Sequence, residues 1–148
     1  MATVSTPNAF FKGALLDMYY SRRAESAIGQ GTRFEIKKAY FGTSALVTAN
    51  PAGGWLIDDI PTNFKLSDLL TNFASVNLTR TVTAGSSTIN LNATLAADAL
   101  SGDTANNFNT LVLTDADNNA IAVLCCQQDT LYRGKSFTLL MNIEEKVS

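Results

Sequence analysis

The side chains that most often carry enzyme chemistry are sparse in this sequence. Its 148 residues include no histidine, so the commonest general base, which is also the usual activator of a serine or cysteine nucleophile, is absent. Two carboxylate pairs remain, Asp58 with Asp59 and Glu144 with Glu145. Glycoside hydrolysis needs two acids that face each other across a cleft, whereas neighbours on a strand or turn diverge. We therefore expect no catalytic residues and a protein that is not an enzyme.

Two short patterns resemble ligand-binding motifs, and each lacks a required residue. Asp115, Asp117 and Asn119 match the start of a calcium loop, but the sixth position is Ala120 and the glutamate at the twelfth position is missing. The Gly-Gln-Gly run at 29–31 lacks the third glycine and the preceding strand of a dinucleotide-binding motif. The sequence therefore predicts no metal and no cofactor, and the Asp-rich segment is interpreted as a turn.

The two cysteines, Cys125 and Cys126, are adjacent. Adjacent residues of a strand point to opposite faces, so a bridge between them is unfavourable, and a zinc site would need further ligands. We predict two free thiols, one buried and the other less so, in a chain that is made in a reducing cytoplasm.

The composition favours contact with other proteins. Charged residues make up 16% of the chain and apolar residues 46%, with a net charge of -2. This charged fraction lies below the roughly 25% typical of soluble proteins, so we expect part of the surface to be covered in an assembly. The Lys and Arg residues are too sparse for nucleic acid, and no apolar run approaches the ~18 residues of a membrane span. Neither nucleic acid nor membrane is an expected partner, and the N-terminus lacks the pattern of a signal peptide.

Helical spacing near the N-terminus predicts a helix over residues 7–28, within a helical arm that spans residues 1–31. Gly13 argues against this helix, because glycine destabilises a helix by about 1 kcal/mol relative to alanine. Three apolar side chains share one face of the predicted helix and could pack on a sheet or on a neighbouring subunit: Phe11, Leu15 and Met18.

From residue 32 the pattern alternates, which predicts a β-rich body over residues 32–148. Leucine and phenylalanine spacing over residues 64–73 predicts a short inserted helix. We therefore expect a single domain of residues 1–148 that is mainly β, of the α+β class. Its N-terminal helix would be followed by an antiparallel sheet or sandwich of five to seven strands.

Two hairpins are predicted, over residues 76–95 and 108–126, and a last strand over residues 137–143. The polar face of the first hairpin is formed by threonine and asparagine and carries almost no charge. We predict that this face is an interface, with these candidate residues: Thr79, Thr81, Asn90 and Asn92.

Trp55 opens a short apolar strand over residues 55–57. Together with Tyr19, Tyr20 and Tyr40 it could form a platform for sugar rings, but aromatic residues at such spacing more often anchor cores or interfaces. Trp55 is therefore a further interface candidate, and a carbohydrate-binding module is an alternative function.

The C-terminal part of the sequence contains an apolar strand, an Asp-rich turn, a second apolar strand, a polar loop and a closing strand, at residues 111–114, 115–119, 120–123, 127–135 and 137–143. In this order of features it resembles the N-terminal attachment domain of tail-collar and tail-fibre proteins from contractile-tailed phages. The family's opening, in which a helix and a glycine precede a strand that ends in glycine, corresponds to residues 14–31 and 34–42.

The resemblance implies a virion protein of the phage tail that is synthesised in the host cytoplasm. Its expected role is that of an adaptor or attachment domain, which joins a tail fibre to the baseplate or tail through protein–protein contacts. The expected partners are further copies of the chain, usually as a trimer, and other tail, baseplate or fibre proteins. A capsid decoration or head-stabilising protein has a similar composition and is a second alternative.

Overall fold

The computed structural model describes residues 2–5, 12–82, 84–85, 87–100 and 104–145. Within these ranges the chain forms eleven strands, one α-helix and one short 3-10 helix. In chain order these are β1 (Ala2–Ser5), β2 (Lys12–Leu15), α1 (Asp17–Ala27), β3 (Ile36–Ser44), β4 (Val47–Ala49), β5 (Trp55–Ile57), the 3-10 helix (Leu66–Asp68), β6 (Leu69–Asn77), β7 (Thr79–Val82), β8 (Ile89–Leu95), β9 (Asn106–Asp115), β10 (Ala120–Leu131) and β11 (Phe137–Glu145).

The strands form two main antiparallel sheets and a small hairpin. Sheet A has the order β1-β11-β8-β7, sheet B has the order β2-β10-β9-β3-β6, and β4 pairs with β5. Side chains from the facing sides of sheets A and B form one hydrophobic cluster, which we call the sandwich core. At its centre the ring of Phe137 in sheet A lies 5.9 Å from that of Phe41 and 5.2 Å from that of Phe108, both in sheet B. The two sheets therefore form a β-sandwich.

The other side of sheet B is also covered. The β4–β5 hairpin and the segment after it bring Val47 and Phe64 against Val112 and Val123 of sheet B, and this cluster is called the second core. Strands β9 and β10 are therefore buried on both sides, which explains their nearly continuous apolar runs. Strands β8 and β11 instead alternate between buried apolar and more exposed polar residues, because one side of sheet A lacks such a layer in the described part of the chain.

The chain passes directly from one sheet to the other at Leu78, which alone separates β6 from β7. This leucine is buried, and its backbone N–H donates a hydrogen bond to the carbonyl oxygen of Lys37 at 2.8 Å. The anchored crossover fixes the two neighbouring edges of the sandwich relative to each other.

The predicted N-terminal helix over residues 7–28 is wrong. Residues 12–15 form β2, which pairs with β10 so that Leu15 lies opposite Ala122, and the helix begins only at Asp17 and ends at Ala27. Residues 6–11 lie outside the described ranges. Gly13 weakens helix formation, and pairing with the buried strand β10 buries Leu15 more completely than a surface helix would, so tertiary packing overrides the helical spacing.

The predicted α+β class, strand number and inserted helix are wrong as well. The described chain is mainly β, with more strands than the five to seven predicted. Of the helix predicted over residues 64–73, only the 3-10 turn Leu66–Asp68 is present, and Leu69 begins β6. The leucines at helical spacing meet two different surfaces, because Leu69 packs against the second core while Leu70 is 68% exposed.

The second predicted hairpin and the last strand are confirmed, and the first hairpin is confirmed from residue 79 onwards, whereas residues 76 and 77 belong to β6 of sheet B. Strand β7 pairs with β8, β9 pairs with β10, and β11 covers the predicted range. Asn118 in the turn between β9 and β10 has a φ of 64°, the left-handed conformation that asparagine tolerates. The strand predicted over residues 55–57 is also confirmed. The single-domain organisation stays a prediction.

Candidate interaction surface

Four of the predicted interface residues lie together on the outer side of sheet A. Thr79 lies opposite Asn92, and Thr81 lies opposite Asn90 in the β7–β8 pair. Directly opposed residues of an antiparallel pair share one side of the sheet. The next strand, β11, continues both rows, since Leu140 lies opposite Asn92 and Asn142 lies opposite Asn90.

The resulting surface is uncharged. We call it the Thr/Asn face and define it by these residues: Thr79, Thr81, Asn90, Asn92, Thr94, Thr138, Leu140 and Asn142. Thr94 donates a hydrogen bond to Oδ1 of Asn92 at 2.7 Å, and its hydroxyl lies 3.3 Å from that of Thr138. Leu140 lies within the face and is 53% exposed. Hydroxyl and amide groups offer both donors and acceptors, so the face can bind another polar surface without a charge partner.

The other predicted interface residues lie elsewhere. Leu15 is buried in the sandwich core. Met18 is 38% exposed on α1 and lines a groove of about 350 Å³ together with Phe64 and Leu66. Trp55 is half-buried in β5 on the far side of sheet B. Phe11 lies outside the described residues.

Trp55 is held by an amide that sequence reasoning missed. Gln127 lies in a bulge of β10 between Cys125 and Asp129. Its side-chain oxygen accepts a hydrogen bond from the backbone N–H of Trp55 at 3.0 Å, and its side-chain nitrogen donates to the carbonyl of Trp55 at 3.0 Å. The bulge thus joins the β4–β5 hairpin to sheet B.

The aromatic residues proposed as a sugar platform are divided between two clusters. Trp55 and Tyr40 pack against the second core, whereas Tyr19 belongs to the sandwich core and is 2% exposed. The ring of Tyr20 packs edge-on against Tyr19 at 5.2 Å. These contacts use the aromatic rings in packing and do not align them on one exposed surface.

A buried ion pair joins the helix to the turn between β9 and β10. Arg22 is 5% exposed, Asp115 is 1% exposed, and Nε of Arg22 donates to Oδ2 of Asp115 at 3.2 Å. Nη2 of Arg22 also donates to the carbonyl oxygen of Thr32 at 2.7 Å. The second carboxylate oxygen of Asp115 accepts hydrogen bonds from the backbone N–H groups of Asp117 at 3.0 Å and Asn119 at 2.8 Å.

The Asp-rich turn is therefore a structural element that the arginine completes. Thr32 donates a hydrogen bond to Asp117, which extends the network to the loop after α1. One sequence signal could have indicated it: Tyr19 and Arg22 are three residues apart, so an arginine shares the buried face of the helix with a tyrosine.

The two cysteines face opposite sides of sheet B, as predicted from their adjacency. Cys125 belongs to the second core and Cys126 to the sandwich core, and both are buried and free. Cys125 is 0% and Cys126 6% exposed, so the difference in burial is small, because β10 is covered on both sides. Burial raises the pKa of the Cys125 thiol, against the opposing effect of its hydrogen bonds with Thr110 and Ser44. Burial, aided by Cys125 and Asp129, raises the pKa of Cys126 from 9.0 to about 12.

The raised pKa of Cys126 predicts that the fold loses stability in alkali. Above the ordinary thiol pKa of 9.0 the unfolded chain releases this proton, while the folded chain retains it up to about pH 12. The stabilisation is complete below pH 9 and is lost at up to about 1.4 kcal/mol per pH unit as the pH rises towards 12. Urea unfolding at several pH values should show a steeper alkaline loss for the unaltered chain than for Cys126→Ala. Equal slopes for the two chains would contradict the prediction.

The described residues contain no group of three or more His, Cys, Asp or Glu side chains that could hold a metal ion. The helices that the structure describes are too short or too polar to cross a bilayer. The geometry thus defines a class of protein, an antiparallel β-sandwich with a buried structural ion pair and an uncharged, uncovered sheet face.

The chain belongs to the bacteriophage P1 tail fiber protein R family, whose family model matches residues 1–148. It is 43% identical over 143 residues to "Tail fiber protein R" of Escherichia phage P1, an alignment that covers 97% of this chain and 96% of that protein. No solved structure matches the chain significantly. Membership confirms the resemblance to phage tail-fibre proteins and makes the chain a structural component of the virion tail, synthesised in the host cytoplasm.

Proposed function

We propose that the chain is an adaptor that joins a tail fibre to the baseplate or tail and that it docks through the Thr/Asn face. The observation that carries the proposal is the unequal covering of the two sheets. The central strands of sheet B are packed on both sides, whereas the outer side of sheet A has no described layer over it and is uncharged apart from Glu144 near the end of β11.

An uncharged polar face is well suited to permanent contact. Burying hydroxyl and amide groups against matching partners costs less than burying charges, and charged residues are depleted in interface cores. The half-exposed Leu140 supplies an apolar anchor among them. A standard interface of about 800 Å² per partner is compatible with a face that extends over the three strands β7, β8 and β11.

Self-association is a further part of the proposal, supported by the low charged fraction of 16%. Met18, beside its groove, and Trp55, on the far side of sheet B, are candidates for additional contacts. Leu15 is assigned to the core, because it is 7% exposed.

A lysine within the Thr/Asn face should weaken docking. In Thr81→Lys and Leu140→Lys the new ammonium group would be buried without a partner in the complex, so we expect affinity for isolated phage tails to fall at least about tenfold, equivalent to 1.4 kcal/mol. Co-sedimentation with tails that lack this protein would measure it. Ala52→Lys is the matched control, because Ala52 is exposed in the loop between β4 and β5 on the far side of sheet B.

Binding assays with heads and with glycans separate the alternative functions. Binding to isolated heads in place of tails would favour a capsid decoration protein. Retention on immobilised glycans that is lost in Trp55→Ala would favour a carbohydrate-binding module. Unchanged tail binding by both lysine variants would contradict the assignment of docking to the Thr/Asn face.

A further inference from the structure

The two main sheets have four edge strands, and three of them are short. Strands β1, β2 and β7 each contain four residues, whereas β6 contains nine. Short edge strands and charged residues on an edge are the usual protection of a sheet against pairing with another chain. Length alone therefore distinguishes the β6 edge.

Charge distinguishes it from two of the other three edges, β7 and β2, whereas β1 is uncharged but short. Arg80 in β7 donates hydrogen bonds to Oε1 of Glu35 at 2.7 Å and to the carbonyl oxygen of Ile36 at 2.8 Å, so a cation occupies that edge. Lys12 in β2 forms an ion pair with Asp59 at 2.6 Å. The nine residues of β6 include no charged residue, no proline and no glycine, and no described strand pairs with its free side.

The regular part of β6 is its C-terminal half. The pairing of β6 with β3 shifts register twice, opposite Gly42 and Ser44, whereas residues 74–77 pair without interruption. Ala74 and Val76 pack against the sandwich core, and Ser75 between them is exposed. This stretch presents regular strand geometry at an open edge, as strand addition requires.

We infer that β6 pairs with β6 of a second copy of the chain, antiparallel and about a two-fold axis at Ser75. This register places Ala74 opposite Val76 of the second copy on the core side, and the two Ser75 residues opposite each other on the outer side. Apolar residues thus meet apolar residues, hydroxyl meets hydroxyl, and the two copies of sheet B become one continuous sheet.

A second copy is the occupant that the composition of the edge favours. A charged partner strand would find no countercharge on residues 69–77, whereas an identical neutral strand meets no like charge and satisfies the free backbone groups of both copies. The inference concerns the self-association part of the proposed function, and it predicts pairs of chains in place of the trimer that the resemblance implies.

The test is a lysine at the proposed axis. In Ser75→Lys the two ammonium groups would lie directly opposite each other, so we expect the dissociation constant of the pair to rise at least tenfold. Sedimentation equilibrium of the full chain would measure it, with a mass twice the 15.8 kDa of one chain expected before substitution. Ser75→Thr and Ala52→Lys should remain paired. Amide exchange at residues 74–77 should slow as the concentration of the unaltered chain rises.

Several results would overturn the inference. These are an unaltered chain that stays monomeric at all concentrations, a trimer, or a pair that Ser75→Lys does not weaken although circular dichroism shows the variant to be folded. Tail binding keeps the two proposals apart. If the chain is monomeric but binds tails through the Thr/Asn face, pairing through β6 is wrong and the adaptor function stands. If the chain forms pairs but does not bind tails, the adaptor function is wrong and pairing through β6 stands.

Discussion

Replacing Arg22 by methionine is expected to lower the free energy of unfolding by about 3–5 kcal/mol. The substitution keeps the length of the side chain but leaves Asp115, 1% exposed, without its cationic partner. The carbonyl oxygen of Thr32 would lose its hydrogen bond from the guanidinium group as well. The carboxylate keeps its hydrogen bonds from the turn, but a buried charge without a countercharge costs far more than the packing that methionine restores.

Urea unfolding monitored by circular dichroism would measure the effect. Lys135→Met is the matched control, because it removes an exposed ion pair with Asp129 at 3.2 Å, which should cost only about 0–1 kcal/mol. The double variant Arg22→Met, Asp115→Asn should recover part of the loss, since it no longer buries an uncompensated charge. A loss at Arg22 no larger than that at Lys135 would show that the buried network does not stabilise the fold.

Replacing Gly42 by alanine is expected to cost about 3 kcal/mol, at the upper end for an overpacked site. An ideal Cβ at Gly42 would lie 1.8 Å from the carbonyl oxygen of Thr71 and 2.8 Å from its carbonyl carbon. Both are backbone atoms of β6, so no side-chain rotation relieves the clash. Strand β6 would have to move away from β3 beside the register shift between Phe41 and Gly42.

Thermal unfolding would measure this change, and Gly53→Ala is the control. Gly53 has a φ of 110°, but a Cβ there would meet no atom within 4 Å. Its replacement should therefore cost only the strain of the backbone, about 1–2 kcal/mol. If Gly42→Ala were as stable as Gly53→Ala, the close approach of β3 and β6 would not be a constraint on the fold.

The hairpins could be predicted because each carries local information. In β8 and β11 the alternation of apolar and polar residues reports one buried and one uncovered side, and the Asp- and Asn-rich turn sets the β9–β10 connection. The four interface candidates of the first hairpin could be placed on one surface for the same reason, since period-two patterning fixes which side chains share a side.

The N-terminal segment could not be predicted because its structure depends on distant residues. Phe11, Leu15 and Met18 have helical spacing, yet residues 12–15 become a strand by pairing with β10 more than 100 residues later in the chain. The helix predicted over residues 64–73 fails similarly, because β6 is defined by its pairing with β3. Local spacing carries no information about such partners.

The buried network was missed because burial of a charge cannot be inferred from the charge itself. Arg22 and Arg23 are neighbours of the same type, and only the first turns towards Asp115. The pairing depends on where the helix lies on the sandwich, which the sequence alone does not specify. A predicted turn with an aspartate at its first position was correct, but its partner could be identified only in three dimensions.

The unequal covering of the two sheets separates the positions that hold the fold from those that could recognise a partner. Substitutions on the outer side of sheet A change exposed or half-exposed side chains, where the usual effect on stability is within about 0.5 kcal/mol. Strands β9 and β10 are covered on both sides, so most substitutions in them would change a buried side chain and lower stability. A lineage of these proteins could therefore exchange one attachment partner for another by altering only the outward residues of β7, β8 and β11, without passing through unstable intermediates.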